Sequence, residues 1–171
     1  MASFTESLEL GKKYELLAEA YFKKRNLDYT DVRDNREYQA IDVDYIANNY
    51  KYEVKFNYHI PQKGHPGVFF WVELEIGNKP GWWNFNQTDY FFFFGESGAI
   101  LIKNTNEFKE RVNYNIEHGN HGSMGKARFD YKQDARYNGY VTAKSMRCYI
   151  EDYEEFIVDR LVTRRLLNPT R

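Results

Sequence analysis

Near the start of the chain apolar residues recur at helical spacing: Leu10, Tyr14, Leu17 and Tyr21 form one stripe. Positions three and four apart share a helix face, so the stripe predicts a helix. Ser3, followed three residues later by Glu6, makes a capping box that opens it, and it is expected to run to about Asn26. Residues 27–38 read as a short strand and a polar connection marked by Arg33 and Arg36. From Ile41 the period changes to two and predicts a strand-turn-strand hairpin ending near Lys55. A loop from His59 to Gly67 leads to a strand at Val68 to Ile76, read as lying beside the hairpin, which Gly77 to Gly81 ends. Trp82 to Gln87 reads as one helical turn, and Asp89–Phe94 with Ala99–Lys103 as paired strands. Thr105 is placed to cap a helix through about Glu117. A strand around Tyr140 to Ser145 and a last helix from about Glu151 to Leu167 complete the order. Helix, strands, helix, strand, helix predicts an α/β fold, a mixed sheet with helices on its faces.

The chain has 171 residues, 42% of them apolar and 18% aromatic, enough for one domain spanning 1–171 with a sizeable core. Mean hydropathy is −0.77, so aromatic side chains must do much of the burying. No apolar run approaches the roughly 18 residues of a membrane span, and residues 1–6 lack the order of a signal peptide. The expectation is a cytoplasmic protein that does not enter a membrane. The single Cys148 excludes an internal disulfide, and His59, His65, His118 and His121 fit no compact zinc spacing. Gly119 to Lys126 is glycine-rich but lacks the Gly-Lys-Ser/Thr order of a phosphate-binding loop.

The net charge of −1 conceals an uneven distribution. Between Lys103 and Arg147 nine basic residues stand against five acidic ones, and such a local excess can steer a polyanion even when the total is near zero. A solvated surface of mixed charge accounts for it equally well.

Alternation gives the hairpin its chemical interest. Asp42 and Asp44 fall on one strand face, opposite Ile41, Val43 and Tyr45, while Glu53 and Lys55 fall together opposite Tyr52, Val54 and Phe56. On the first helix Glu15 lies beside Leu8, Ala18 and Phe22, inside the apolar arc, whereas Glu19 lies nearer its edge and is the weaker candidate for an inward role. Phosphodiester hydrolysis needs a divalent ion and nearby positive charge to stabilise the transition state. Carboxylates suit Mg²⁺, a hard ion that prefers oxygen and retains waters. Glu75 is a further acid on the strand that follows. Trp82 and Trp83 read as core residues first and as base-stacking platforms second, and Gln39 as a surface glutamine.

These residues resemble the PD-(D/E)xK nuclease superfamily, whose signature is a helix glutamate, an acid on one strand, and acid-x-lysine on the next. Here these are Glu15, Asp42 and Glu53-Val54-Lys55, with Trp82-Trp83 and Thr88-Asp89-Tyr90-Phe91 also similar to phage-type and RecB-like members. The order of elements is similar to that of Holliday junction resolvases as well. The family's proline before the aspartate is Ile41 here, and Glu53 stands 11 positions after Asp42 and 9 after Asp44. Asp42 is the favoured ligand, with Asp44 beside it or on a second ion.

The resemblance implies a restriction-endonuclease-like mixed sheet flanked by helices, and a DNA endonuclease using Mg²⁺, with Mn²⁺ as substitute. Asp42, Glu53 and Asp44 would hold the metal, Lys55 would orient or activate water and steady the transition state, and Glu15 would support the metal shell. Lys126, Arg128, Lys132 and Arg136 are the candidate phosphate contacts. DNA, with a lean toward branched or junction forms, is the expected partner, and a homodimer is expected from the resemblance alone. The alternatives are an inactive nuclease-fold subunit that binds DNA or serves assembly, and a module whose sheet aromatics bind carbohydrate or peptide.

Overall fold

The apolar stripe folds as expected into α1 (Phe4–Lys24), on which Tyr14, Leu17 and Tyr21 are buried. The computed structural model of the chain describes residues 4–56, 69–77, 79–95, 98–118, 129–134 and 141–162. The Ser3 cap, the His59–Gly67 loop and the glycine-rich stretch after His118 fall outside them. Asn26, at φ 51°, stops α1: its N–H donates to the Lys23 carbonyl at 3.1 Å, and the Leu27 N–H to the Phe22 carbonyl at 2.9 Å. This pair satisfies carbonyls that a helix end leaves open.

The chain continues through β1 (Tyr29–Asp31), a short α2 (Arg36–Gln39), β2 (Tyr45–Ala47) and β3 (Tyr50–Phe56). Asn48 and Asn49, at φ 47° and 68°, close the β2–β3 hairpin as a two-residue turn. Such a turn needs positive φ at both positions, which asparagine tolerates better than most residues. With β6 (Tyr90–Phe94), β7 (Gly98–Lys103) and β10 (Ile157–Val162) they form a six-stranded mixed sheet in the order β1-β2-β3-β6-β7-β10. Its β3–β6 pair is parallel and the rest antiparallel. Asp89 fixes the parallel pair: its N–H donates to the Lys51 carbonyl at 2.9 Å, and its Oδ2 accepts the Lys51 N–H at 2.8 Å.

Tyr52, Phe92, Phe94 and Leu101 of this sheet pack with α1. On the opposite face Phe91, Phe93, Ile100 and Ile102 pack with Phe70, Val72, Met146 and Cys148 of a second sheet and with Phe108 and Val112 of α3 (Asn106–His118). The second sheet is four-stranded, with β5 (Lys79–Pro80), β4 (Phe69–Ile76), β9 (Val141–Tyr149) and β8 (Phe129–Asp134) in that order. The fold is therefore mixed α/β, a mixed sheet flanked by helices. Thr105 caps α3 as expected, its Oγ1 accepting the Phe108 N–H at 3.1 Å.

Two expectations are corrected. The last helix is instead a 3₁₀ segment, Ile150–Phe156, followed by strand β10. Ile157, Val158 and Val162 are β-branched and favour extended backbone, and β10 pairs with the edge of β7 that would otherwise be open. The strand carrying Glu73 and Glu75 does not lie beside the hairpin: β4 belongs to the second sheet, and β6 takes the place next to β3. Strand β8 was not expected at all.

Candidate active site

Tyr52 and Val54 of β3 face α1, so Glu53 and Lys55 face the second sheet, beside Phe91 and Phe93 of β6. Period-two alternation thus sets the Glu53–Lys55 pairing as expected. The Lys55 ammonium contacts Oε1 of Glu53 and donates to Oδ1 of Asp42 at 3.1 Å. Oδ2 of Asp42 lies 3.0 Å from the same nitrogen, yet it is buried and makes no hydrogen bond of good geometry among the described residues. The Glu53 side chain is 5% exposed, that of Asp42 17% and that of Lys55 24%.

Asp42 reaches the site by a route that strand alternation does not describe. After α2, whose cap Asn35 accepts the Glu37 N–H at 2.9 Å, the turn continues to Ile41. Asp42 adopts φ 58°, its N–H donating to the Gln39 carbonyl at 3.3 Å and the Val43 N–H to the Tyr38 carbonyl at 3.1 Å. This is the same left-handed helix stop that Asn26 makes, and aspartate is among the few non-glycine residues that adopt it readily. Asp42 is therefore a helix-stop residue ahead of β2, and the expectation that it shares a strand face with Asp44 is corrected.

Asp44 stands opposite Glu53, one residue before β2. Its Oδ2 accepts the Val54 N–H at 2.8 Å, and its own N–H donates to the Tyr52 carbonyl at 2.9 Å. Asp44 is thus tied to the backbone of β3, while Asp42 meets the lysine.

Burial dominates the electrostatics. It pushes the Glu53 carboxyl well above the usual glutamate range, with Asp44 and Asp42 adding and Lys55 opposing. Asp44 is also pushed up, first by burial and further by Asp42 and Glu15, against the pull of the Val54 N–H and Lys55. For Lys55 burial acts downward, but Glu53 and Asp42 outweigh it and hold the ammonium above the ordinary lysine range. The lysine is a fixed cation.

Glu15 does not touch this group. Its Oε2 pairs with Nη1 of Arg33, whose guanidinium also reaches Asp31 and lies 3.6 Å from Glu19 and 5.1 Å from the centre of the Tyr45 ring. Glu19 is the more enclosed of the two helix acids, its side chain 19% exposed against 27% for Glu15. It accepts from the Tyr45 hydroxyl at 3.3 Å and the Tyr29 hydroxyl at 3.2 Å. The expected ranking of Glu15 over Glu19 as the inward acid is therefore reversed by these tyrosines. Gln39 donates through Nε2 to the Arg33 carbonyl at 2.5 Å, which makes it a brace.

Trp82 is a core residue as expected, 9% exposed, but its contact with the site was not foreseen: its ring centre lies 5.1 Å from Nζ of Lys55. Arg33, read as marking a polar connection, is likewise found paired with the helix acid Glu15. Glu75, on β4, borders an open surface pocket with Leu74, Lys79, Pro80 and Asn84. Of the expected phosphate contacts, Lys132 lies on β8 and Lys126, Arg128 and Arg136 lie outside the described residues.

Among the described residues no group of three or more His, Cys, Asp or Glu side chains stands at spacing suited to a metal. Mg²⁺ needs fewer, since it commonly takes one or two carboxylates and completes its shell with waters and phosphate oxygens. Asp42 and Glu53 supply an all-oxygen set of that size, and the buried Oδ2 of Asp42 has an unused lone pair, so the residues fit such an ion. No helix among the described residues is long and apolar enough to cross a membrane. Comparison with family models, curated proteins and solved structures returns no match for the chain, so the site is interpreted from its own geometry.

Proposed function

We propose that the chain is a Mg²⁺-dependent DNA endonuclease of the PD-(D/E)xK type, built on a restriction-endonuclease-like sheet. The observation that carries this reading is the convergence of Asp42, from a helix stop, and Glu53, from β3, on the ammonium of Lys55. A helix followed by three antiparallel strands, with a strand parallel to the third added after β4 and β5 of the second sheet, gives it further support.

Asp42 and Glu53 would hold the ion, with Asp44 behind them braced on Val54. When bound, the ion supplies Lewis-acid polarisation of the phosphoryl group and a more acidic water. In the hydrolysis the oxygen of water bonds to phosphorus and one ester P–O bond breaks, the departing oxygen taking a proton. Lys55, held protonated, faces this centre as a donor for charge growing on the phosphoryl oxygens, in surroundings where burial strengthens the interaction. Its fixed charge suits a stabilising role better than that of a base. Arg33 fixes Glu15 at the flank, where its carboxylate adds negative field at Asp44.

One observation favours a second reading. The ammonium already pairs with both carboxylates, as an ion pair with a purely structural role would, and an inactive nuclease-fold DNA-binding or assembly subunit would retain it. The test is incubation of the purified protein with branched, linear and single-stranded DNA in Mg²⁺ or Mn²⁺, beside Lys55→Ala and Asp42→Asn. Metal-dependent cleavage by the wild type, lost in both variants, supports the nuclease. Binding without cleavage in either metal supports the inactive subunit.

A further inference from the structure

The nuclease reading leaves one neighbour of Lys55 without a role. The Trp82 residue is 9% exposed, and its ring centre lies 5.1 Å from the Lys55 nitrogen. An ammonium over an indole is attracted by the ring quadrupole, more strongly where water is excluded. The tryptophan is held there by its surroundings. Its ring packs against Phe91 at 5.3 Å, and Nδ2 of Asn86 donates to the carbonyls of Trp82 at 3.4 Å and Trp83 at 2.9 Å. Gly81 lets the turn press against β4: its N–H donates to the Leu74 carbonyl at 2.9 Å, and a Cβ in its place would stand 2.4 Å from the Glu73 carbonyl oxygen.

We propose that Trp82 is a positioning residue for Lys55, its ring holding the ammonium in the site when a divalent ion engages Asp42 and Glu53. The inference rests on the nuclease reading and deepens it. Lysine and metal are drawn to the same carboxylates, and two cations there repel each other. A lysine stem is long and flexible, and with 24% of this side chain exposed it has a path to solvent. The indole attracts only the lysine's charge and is no ligand for a hard ion, so it retains the donor without competing for the metal.

The test follows the ammonium of Lys55 by ¹⁵N–¹H NMR in wild type, Trp82→Phe and Trp82→Leu, the signal identified by its loss in Lys55→Ala. A ring-current displacement is expected in the wild type, retained when Mg²⁺ is added, smaller in Trp82→Phe and abolished in Trp82→Leu. In cleavage assays Trp82→Leu should lower kcat roughly tenfold with KM for DNA unchanged within about twofold, and Trp82→Phe should recover most of the loss. A signal equally displaced in wild type and Trp82→Phe, or one that Mg²⁺ moves to the position of a free lysine, overturns the proposal. Should Trp82→Leu fail to fold, the comparison with Trp82→Phe decides. A wild type that neither cleaves DNA nor responds to Mg²⁺ removes the nuclease reading and this inference together. Cleavage with a Lys55 signal indifferent to position 82 removes only the inference.

Discussion

The carboxylate of Asp42 and the ammonium of Lys55 meet at 3.0 Å although one stands at a left-handed helix stop and the other on the third strand of a mixed sheet. Their contact makes folding and chemistry separable at position 42. Asparagine accepts the same backbone and alanine does not, at a cost of about 1–2 kcal/mol for a left-handed alanine. Asp42→Asn should therefore melt close to the wild type, and Asp42→Ala should be less stable by about 1 kcal/mol or more in urea unfolding. Both should lose metal-dependent cleavage. Equal stability of the two variants would contradict the assignment of Asp42 to the helix stop.

Glu53 and Lys55 form the most enclosed ion pair of the site. Removing one partner of a fully buried pair costs about 3–5 kcal/mol, and because Lys55 is partly exposed a smaller figure, about 2 kcal/mol, is expected for Lys55→Met. Glu53→Gln together with Lys55→Met should cost less than the two single changes combined, with a coupling of about 1 kcal/mol or more. Denaturant unfolding of the four proteins measures it, and strict additivity would mean that the pair does not interact.

Glu15 is engaged by Arg33 and stands apart from the lysine. Glu15→Gln should accordingly retain a larger share of the single-turnover cleavage rate than Asp42→Asn. Arg33→Ala removes the partner of Glu15 and Asp31 at once, and a loss of about 1 kcal/mol is expected for these partly exposed pairs. A Glu15→Gln variant as inactive as Asp42→Asn would place Glu15 at the metal.

On the α1 side of the sheet, Tyr21 donates its hydroxyl to Oδ2 of Asp159 at 3.1 Å, and Arg25 donates to the same oxygen at 2.5 Å. Burial, and then the charge of Asp159, push the Tyr21 hydroxyl from 10.0 up to about 12. The folded chain thus keeps this proton where the unfolded chain loses it. The associated stability is complete below the unfolded value and is lost as pH rises toward 12. Tyr21→Phe should show a shallower loss of stability between pH 10 and 12 than the wild type, read from urea unfolding at stepped pH. Parallel slopes would remove Tyr21 as the source.

Much of this arrangement follows from local pattern. The Glu53–Lys55 pairing is a consequence of a two-residue period, and α1, α3 and the β6–β7 pair follow from stripes, caps and turns that lie close together in the chain. Asp42 was recognisable as a residue but not for its reason, because a left-handed stop depends on a short helix whose four residues carry no apolar period. What escaped local reading was decided by distant partners. The segment after Phe156 becomes a strand because β7 offers an edge, and β4 leaves the hairpin because β9 and β5 pair with it. The contact of Trp82 with Lys55 needs the whole crossover between β3 and β6, and no spacing in the sequence encodes it.

The phenylalanines 91 to 94 of β6 are each at most 1% exposed, sealed by α1 on one face and by the second sheet on the other. Local opening of this strand would expose both cores at once, so its amides should exchange with deuterium only on global unfolding. Strand β3 pairs with it from Tyr52 to Phe56. The lysine and glutamate of the site are thereby anchored to this doubly covered strand, while Asp42 stands on a turn outside the sheet. Adjustment of the site to a metal or a substrate should then show as faster or slower exchange around residues 40–43, with β3 unchanged.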